Sequence, residues 1–476
     1  MGAVAQEAFD LLKYGQYDNA YGTARAQSMS NAVGALGGDV TAVSLNPAGL
    51  GVYRKSELEV TFGNSLSAVK SDFAGTQSKD NAQRLTGNSF GYVETFLSDD
   101  ESGLAAFNFG VAYNRQANFH RNTQLQGTDR PVSLLDNLID GGDLQEMAYQ
   151  CYLLDNGRNP VLHQGELTDN GLYLSESGRI DHIDMSMAIN YGYFLYLGFT
   201  IGVQNITYSL DALYEEAYAQ GGSMSLQNLL STEGEGVDFK FGFIVRPLPF
   251  LRLGAAYHSP TFYYNMADSY SSVMYSQGMP DDDGAVSPHS CTGGSGTVCY
   301  QYESPSRVVL SGAVQLGRKG FLTGDLQLDD YAGMVERSEA GRRYDDVCRQ
   351  VSDLFGWGKT WRVGMEWRFN DQLSARAGYS AALSPVNRRV ESDNVEVVTP
   401  STMPQYAIGK GRQTASCGLG FHFDSFYLDL AYVCEMHKEH YYPFYNVVET
   451  GSGVVGNYAN VNAVDNRLAV TLGFRY

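Results

Sequence analysis

The feature that most constrains this chain is a period-two alternation of large apolar with small or polar residues, repeated along most of its length. In Val237-Asp238-Phe239-Lys240-Phe241-Gly242-Phe243-Ile244-Val245 every odd position is large and apolar, and the even positions are mostly charged or small. Successive side chains of a strand point to opposite faces, so this spacing predicts a strand with one apolar face. Ile183, Met185, Met187 and Ile189 repeat it, as do Leu197, Phe199, Ile201 and Val203. Trp361, Val363, Met365, Trp367 and Phe369 form another such row, and Leu468, Val470, Leu472, Phe474 and Tyr476 a further one.

A soluble sandwich also alternates. Two features favour a barrel in lipid instead. The polar faces carry Gly, Ala and Ser beside charges, as a crowded or water-lined lumen requires. The connections also alternate short and long. The predicted strands are 57–67, 89–98, 103–117, 179–191, 194–213, 235–246, 251–264, 304–316, 321–331, 359–368, 373–382, 412–423, 426–437 and 465–476. Tight turns fall at Ser98 to Ser102, Gly192, Pro247-Leu248-Pro249, Gly317 to Gly320, Asn370-Asp371 and Asp424-Ser425, all with turn-forming residues. The other connections are long and polar, which is the pattern of an outer-membrane barrel. In lipid a sheet must close, because an open edge leaves backbone groups unpaired. The expected fold is therefore all-β: a membrane-spanning antiparallel barrel of about 14 strands.

Composition agrees. Tyr (33), Phe (23) and Gly (53) are abundant and Pro (13) is scarce, as closely spaced strands and turns need. No stretch reaches the ~18 uninterrupted apolar residues of a membrane helix. A mean hydropathy of -0.26 fits strands that show lipid only every second residue. The net charge of -20 argues against a nucleic-acid partner, since phosphates need Lys and Arg. Acid concentrates between apolar segments, as in Asp281-Asp282-Asp283, and reads as a solvated loop surface. Ala3-Val4-Ala5 resembles the small-residue tail of a cleaved export signal, an expectation that agrees with the outer membrane.

Residues 1–56 do not alternate. They run through Gly34-Ala35-Leu36-Gly37-Gly38-Asp39 to Asn46-Pro47-Ala48-Gly49-Leu50-Gly51, and small residues dominate. On composition alone a plug in the lumen and a flexible periplasmic tail fit equally well. The connection after the third strand is long. Leu134, Leu135, Leu138 and Ile139 within it predict a short amphipathic helix over the barrel mouth.

With Asn46-Pro47-Ala48 ahead of the first strand, the chain resembles the FadL/TodX-like family of outer-membrane long-chain fatty-acid and hydrocarbon transporters. Gly37-Gly38-Asp39 followed by Ser44-Leu45-Asn46-Pro47-Ala48-Gly49-Leu50 resembles the family's hatch motif. Leu253-Gly254-Ala255-Ala256-Tyr257-His258-Ser259-Pro260 resembles its seventh-strand pattern. Thr360 to Arg368, then Arg376-Ala377-Gly378-Tyr379 and Ser384-Pro385, resemble a later hairpin. The resemblance covers nearly the whole chain and tips the N-terminal reading to a plug. It implies a hatch over 1–56, with Asn46, Pro47, Ala48 and Gly49 as its motif, and a barrel with long extracellular loops over 57–476. It also implies uptake of a hydrophobic small molecule captured at the loops and released sideways near the third strand. That strand carries Asn108 and Gly110 on its inner face, where small residues also simply fill the lumen. An accessory barrel of a protein secretion machine is the alternative within the resemblance. The implied partners are a hydrophobic ligand and outer-membrane lipid, lipopolysaccharide included, around a monomer.

Other residues are weighed singly. Asp238, Lys240, Asp325, Arg362, Glu366, Arg368 and Arg376 point inward by alternation. Lys240, Arg362, Arg368 and Arg376 are candidates to meet a fatty-acid carboxylate, but the mixed signs favour mutual pairing. Cys291 and Cys299 flank a Gly-rich segment and are the expected disulfide, and Cys151 and Cys348 fall in different loops that can pair. His437, Glu439 and His440 offer metal-ligand types but read as solvated loop residues, so no metal and no cofactor is expected. Gly87-Asn88-Ser89-Phe90-Gly91 matches a nucleophile elbow without the strand–turn–helix context that the motif needs. The chain is not read as an enzyme.

Overall fold

A computed structural model describes residues 8–16, 21–99, 103–128, 133–138, 142–162, 166–219, 221–281, 284–391, 402–444 and 458–476. The signal-like Ala3-Val4-Ala5, Ile139, Asp282-Asp283 and part of the Ser98–Ser102 turn lie outside them. The strands are β1 (Glu57–Phe73), β2 (Thr76–Leu97), β3 (Leu104–Asn118), β4 (Arg121–Gly127), β5 (Leu167–Tyr191) and β6 (Leu195–Tyr218). Next come β7 (Ser223–Leu248), β8 (Leu251–His258), β9 (Phe262–Gln277), β10 (His289–Glu303), β11 (Ser306–Leu316) and β12 (Gly320–Asp330). The last are β13 (Val335–Ser338), β14 (Trp357–Arg368), β15 (Leu373–Leu383), β16 (Tyr406–His422), β17 (Phe426–Tyr442) and β18 (Ala459–Arg475).

All ladders are antiparallel, and β1 pairs with β18 from Glu57↔Arg475 to Asp72↔Asn460, which closes the sheet. β3 runs on into β4, β8 into β9, β10 into β11, and β12 into β13, so the closed wall has 14 staves. Pro260 and Pro305 sit at two of the interruptions, where a residue without an N–H breaks a ladder.

The wall changes character along its height. On β6, Leu197, Phe199, Ile201 and Val203 face outward while Thr200, Gly202 and Gln204 face inward. Past Gln204 the polarity exchanges sides. Asn205, Ser209 and Asp211 now face out, and Ile206, Tyr208, Leu210 and Tyr214 are buried inside. β7 makes the same exchange: Phe239, Phe241 and Phe243 face out below, and Met224, Leu226 and Leu230 face in above. Phe241 is 56% exposed, at home in hydrocarbon and costly in water. The membrane-spanning part of β5–β7 therefore ends near Ile183, Val203 and Val237. Above it the strands continue as a water-bathed rim with an apolar interior. The segments 68–88 and 214–234, expected as loops, are these strand extensions.

Five of the expected short turns sit at one end. Tyr191 to Leu195, Leu248 to Leu251, Leu316 to Gly320, Arg368 to Leu373 and His422 to Phe426 close hairpins there. Ala74-Gly75 closes a tight β1–β2 hairpin at the other end. Inside the barrel lie α1 (Ala8–Gly15), α2 (Ala24–Ser28), α3 (Val40–Leu45) and a 3-10 turn over Pro47–Val52. Of the segment expected to form a helix at Leu134–Ile139, the described residues 134–138 make only a 3-10 turn, Leu135–Asn137, and α4 (Asp143–Gln150) comes after it over the mouth. Leu134 and Leu135 are buried but too few to anchor a helix.

Candidate functional site

Residues 21–53 plug the membrane-level lumen. Thr23 caps α2 by accepting from Ala26 N, and Asp39 caps α3 by accepting from Thr41 N. Asn46 caps the 3-10 turn by accepting from Ala48 N, and its amide donates to Gly34 O at 3.0 Å and to Phe243 O of the wall at 3.2 Å. One side chain thus folds the Asn46-Pro47-Ala48-Gly49 motif and ties it to β7. Three glycines of the inner face have a matching purpose. A β-carbon at Gly198 would land on the Pro47 carbonyl, one at Gly242 on Asn46 Oδ1, and one at Gly378 on Met29. At these three glycines the plug touches the wall, whereas Gly202 and Gly473 make room for wall side chains, His182 with Asp238 and Tyr427.

The inward charges pair with one another and with the plug. Lys240 Nζ lies 2.7 Å from Asp184, which accepts from Ser44 of the plug at 2.6 Å. His182 meets Asp238 at 2.9 Å. Arg376 bridges Glu366 (2.9 Å) and Asp429 (2.6 Å), and Arg25 of α2 joins Glu366 at 3.0 Å. Arg362 is the exception. It is buried opposite Asp325 in the ladder and donates to Gln327 at 2.5 Å, but among the described residues it makes no ion pair and its Nε and Nη1 have no hydrogen-bond partner. Arg368 corrects its expectation: it has the inward parity, but β14 ends there at the turn-side rim, so it is exposed to solvent.

Asn108 and Gly110 also behave differently from the expected gate. Asn108 donates to Leu50 O at 2.6 Å, and Leu50 packs on the bare face of Gly110. Both residues clamp the plug, and β3 is fully paired there with β2 and β5. The irregularity lies higher. The β2–β3 ladder ends at Ser89↔Asn114, and the register against β5 slips between Arg115 and Ala117. Behind this break is a cavity of about 70 Å³, lined by Ser44, Asn114, Gln116, Lys240, His258 and Arg307 among others. That volume is room for a few waters.

Above the membrane, the inward apolar residues merge into one large core with Leu134, Leu135 and Met147 of the mouth loop. α1 is driven into its centre by Phe9, Leu11, Leu12 and Tyr14, with Phe9 stacking edge-on against Phe355 at 5.5 Å. Lys13 reaches Glu176 at 2.9 Å and the Tyr208 hydroxyl at 2.7 Å. Burial pushes the Glu176 carboxyl up, but Lys13 and Arg121 outweigh it and hold it down at about 2. Nothing in the sequence flagged α1. Its signal was the row Phe9, Leu11, Leu12, too short to stand out.

The remaining candidates fall into place by position. Ser89 lies inside β2 with no helix after it, so no nucleophile elbow is built. His437 and Glu439 are not loop residues but belong to β17, where Arg121 pairs with Glu439 and His440 stacks on Tyr458. Glu435, His437 and Asp465 stand close enough together to share an ion, but Arg412 and Arg467 already neutralise Glu435. Cys291 and Cys299 both lie on β10, whose extended backbone keeps them apart, so the expected bridge is not made. Eight residues of extended strand hold them roughly 25 Å apart. Cys151 and Cys348 do not meet either. Cys348 lies on α5 (Asp345–Leu354) near Glu336, and Cys151 ends α4.

No protein-family model and no curated protein matches the chain. Solved structures do. A Pseudomonas aeruginosa FadL homologue superposes with a TM-score of 0.56 at 14% identity, covering 96% of this chain and 98% of that one. This is the FadL-like barrel fold. The Pseudomonas putida toluene transporter TodX matches at 0.52 and 15% identity, over 96% of this chain and 99% of its own. The monoaromatic hydrocarbon channel CymD matches at 0.52 and 10% identity, over 97% and 99%. Identity this low carries the fold alone. Within the FadL-like fold, the plug, the interrupted third stave and the apolar rim are this chain's own observed geometry.

Proposed function

We propose that this chain is an outer-membrane channel for the passive entry of hydrophobic small molecules, long-chain fatty acids or similar lipids and hydrocarbons. The observation that carries it is the exchange of polarity along the staves. Above the bilayer the apolar face turns inward, so a hydrophobic vestibule stands in water where cargo arrives. Burial there stabilises a bound chain by ~0.8 kcal/mol per CH₂. Cargo takes the place of α1, because both need the same apolar surface. The plug closes the way straight down, and its ion pairs hold it to the wall. The exit lies sideways, where the β2–β3 ladder ends above Ser89↔Asn114 at the upper edge of the hydrocarbon band. Flow follows the concentration gradient. An accessory barrel for protein secretion has no need of an apolar vestibule sealed by its own N-terminal helix.

Uptake of radiolabelled oleate and of toluene by cells lacking other such channels tests this reading. Expression should raise at least one rate several-fold, and Gln116→Trp, which fills the passage at the break, should lower it again. Rates equal to an empty-vector control for both probes would remove the transport function.

A further inference from the structure

The mouth loop ends helix α4 at Cys151, and this cysteine does not stand alone. Cys291 of β10 comes to it from the wall. The Cys291 thiol donates to Met147 O of α4 at 3.0 Å, the same carbonyl that accepts from Cys151 N at 3.0 Å. The Cys151 thiol in turn donates to Met274 O of β9 at 3.4 Å, and Cys291 Sγ lies 3.8 Å from that same oxygen. Ser276 of β9 adds a 2.6 Å bond to Cys151 O. Two sulfurs thus share one carbonyl, and both are buried against an apolar core. Their backbones are held by a helix end and a strand ladder, with Cys291 opposite Met274.

We infer that Cys151 and Cys291 form a disulfide that tethers the mouth-covering α4 to the β9–β10 wall. The pairing rests on the thiols' placement and on export to an oxidising compartment; it does not depend on which cargo is carried. Cys151 lies on the loop that has yet to seat, so its thiol meets solvent and ionises there. Its thiolate attacks a sulfur of a dithiol–disulfide carrier and releases one carrier thiolate. The Cys291 thiolate then attacks the Cys151 sulfur of that mixed disulfide and releases the second. Two electrons pass to the carrier, two protons leave the chain, and one S–S bond replaces two S–H bonds. Because both sulfurs are covered once α4 is seated, exchange takes place while the loop is still open. The finished bond is then shielded from reductants.

The test is peptide mapping of the full-length protein from outer membranes, alkylated under denaturing conditions and digested without reductant. The expected product is one linked species containing Cys151 and Cys291, which reduction splits, with Cys299 alkylated. Recovery of both cysteines alkylated, or a Cys291–Cys299 link, overturns the inference. Cys299→Ser should leave the link intact. Loss of the link in that variant also overturns it. Reduction should speed proteolysis within 142–162 several-fold, and an unchanged cleavage rate would refute the tethering role.

Discussion

Gly198 and Gly242 show how single residues fit the plug to the wall. Each lies on the inner face of a strand locked in register on both sides, Gly198 opposite Ala188 and Gly242. The strand cannot yield, so a methyl at Gly198 must push Pro47 instead. Overpacking of this kind costs about 1–3 kcal/mol. Gly198→Ala should leave the barrel folded, as judged by its heat-modifiable gel mobility, while loosening the plug. Sensitivity of cells to a large antibiotic should rise several-fold. Gly87→Ala is the control, because a β-carbon there meets no atom within 4 Å. The glycine content was legible in the sequence as a crowded lumen. That Gly198 and Gly242 match plug atoms was not, because the partner lies more than a hundred residues away.

At the scale of elements, α1 is an amphipathic helix held in the vestibule by apolar packing and by the Lys13–Glu176 pair. Glu176 lies above the bilayer, seven residues beyond Ile183. Its carboxyl is depressed to about 2 from an ordinary 4.5 when α1 is docked. A depressed carboxyl stabilises the docked state fully above 4.5 and loses that contribution as pH falls towards 2. Lys13 is raised and stays charged throughout, so it adds nothing to the acid window; burial raises Asp10 of α1, an opposing contribution that the Glu176→Gln variant retains. The protection of residues 8–15, with exchange taken relative to the intrinsic chemical rate at each pH, should therefore fall between pH 5 and pH 3. Glu176→Gln should show low protection at neutral pH and little further change on acidification. The elements that sequence reading missed share a cause. In 214–218 and 223–234 the apolar residues lie on the parity opposite to the lipid-facing rows, so a search for those rows stops short of them, although the strand expected over 194–213 already ran past the exchange at Gln204. The stave was continuous and only its surroundings had changed from lipid to water.

For the whole molecule, the decisive relation is between a closed sheet and two solvents. Phe241 sits mid-band on β7, so Phe241→Arg places a cation in hydrocarbon and should destabilise the folded barrel by about 2–4 kcal/mol. Urea titration of folding into lipid vesicles measures it. An effect within about 0.5 kcal/mol, the range of an ordinary surface substitution, would mean that no bilayer contacts this face. The alternation over 237–245, 183–189 and 468–476 was enough by itself to determine the strands at membrane level, their inward charges, their short turns and their closure. A period of two allows one apolar face, and lipid allows no open edge. Tertiary structure alone decided where Arg368 falls, that Asn108 grips Leu50, that β3 parts from β2 only above Asn114 while staying paired with β5, and that Cys291 lies against Cys151 instead of Cys299. Each of these depends on how far along a stave a residue lies and on what is threaded through the middle, and a local pattern contains neither quantity.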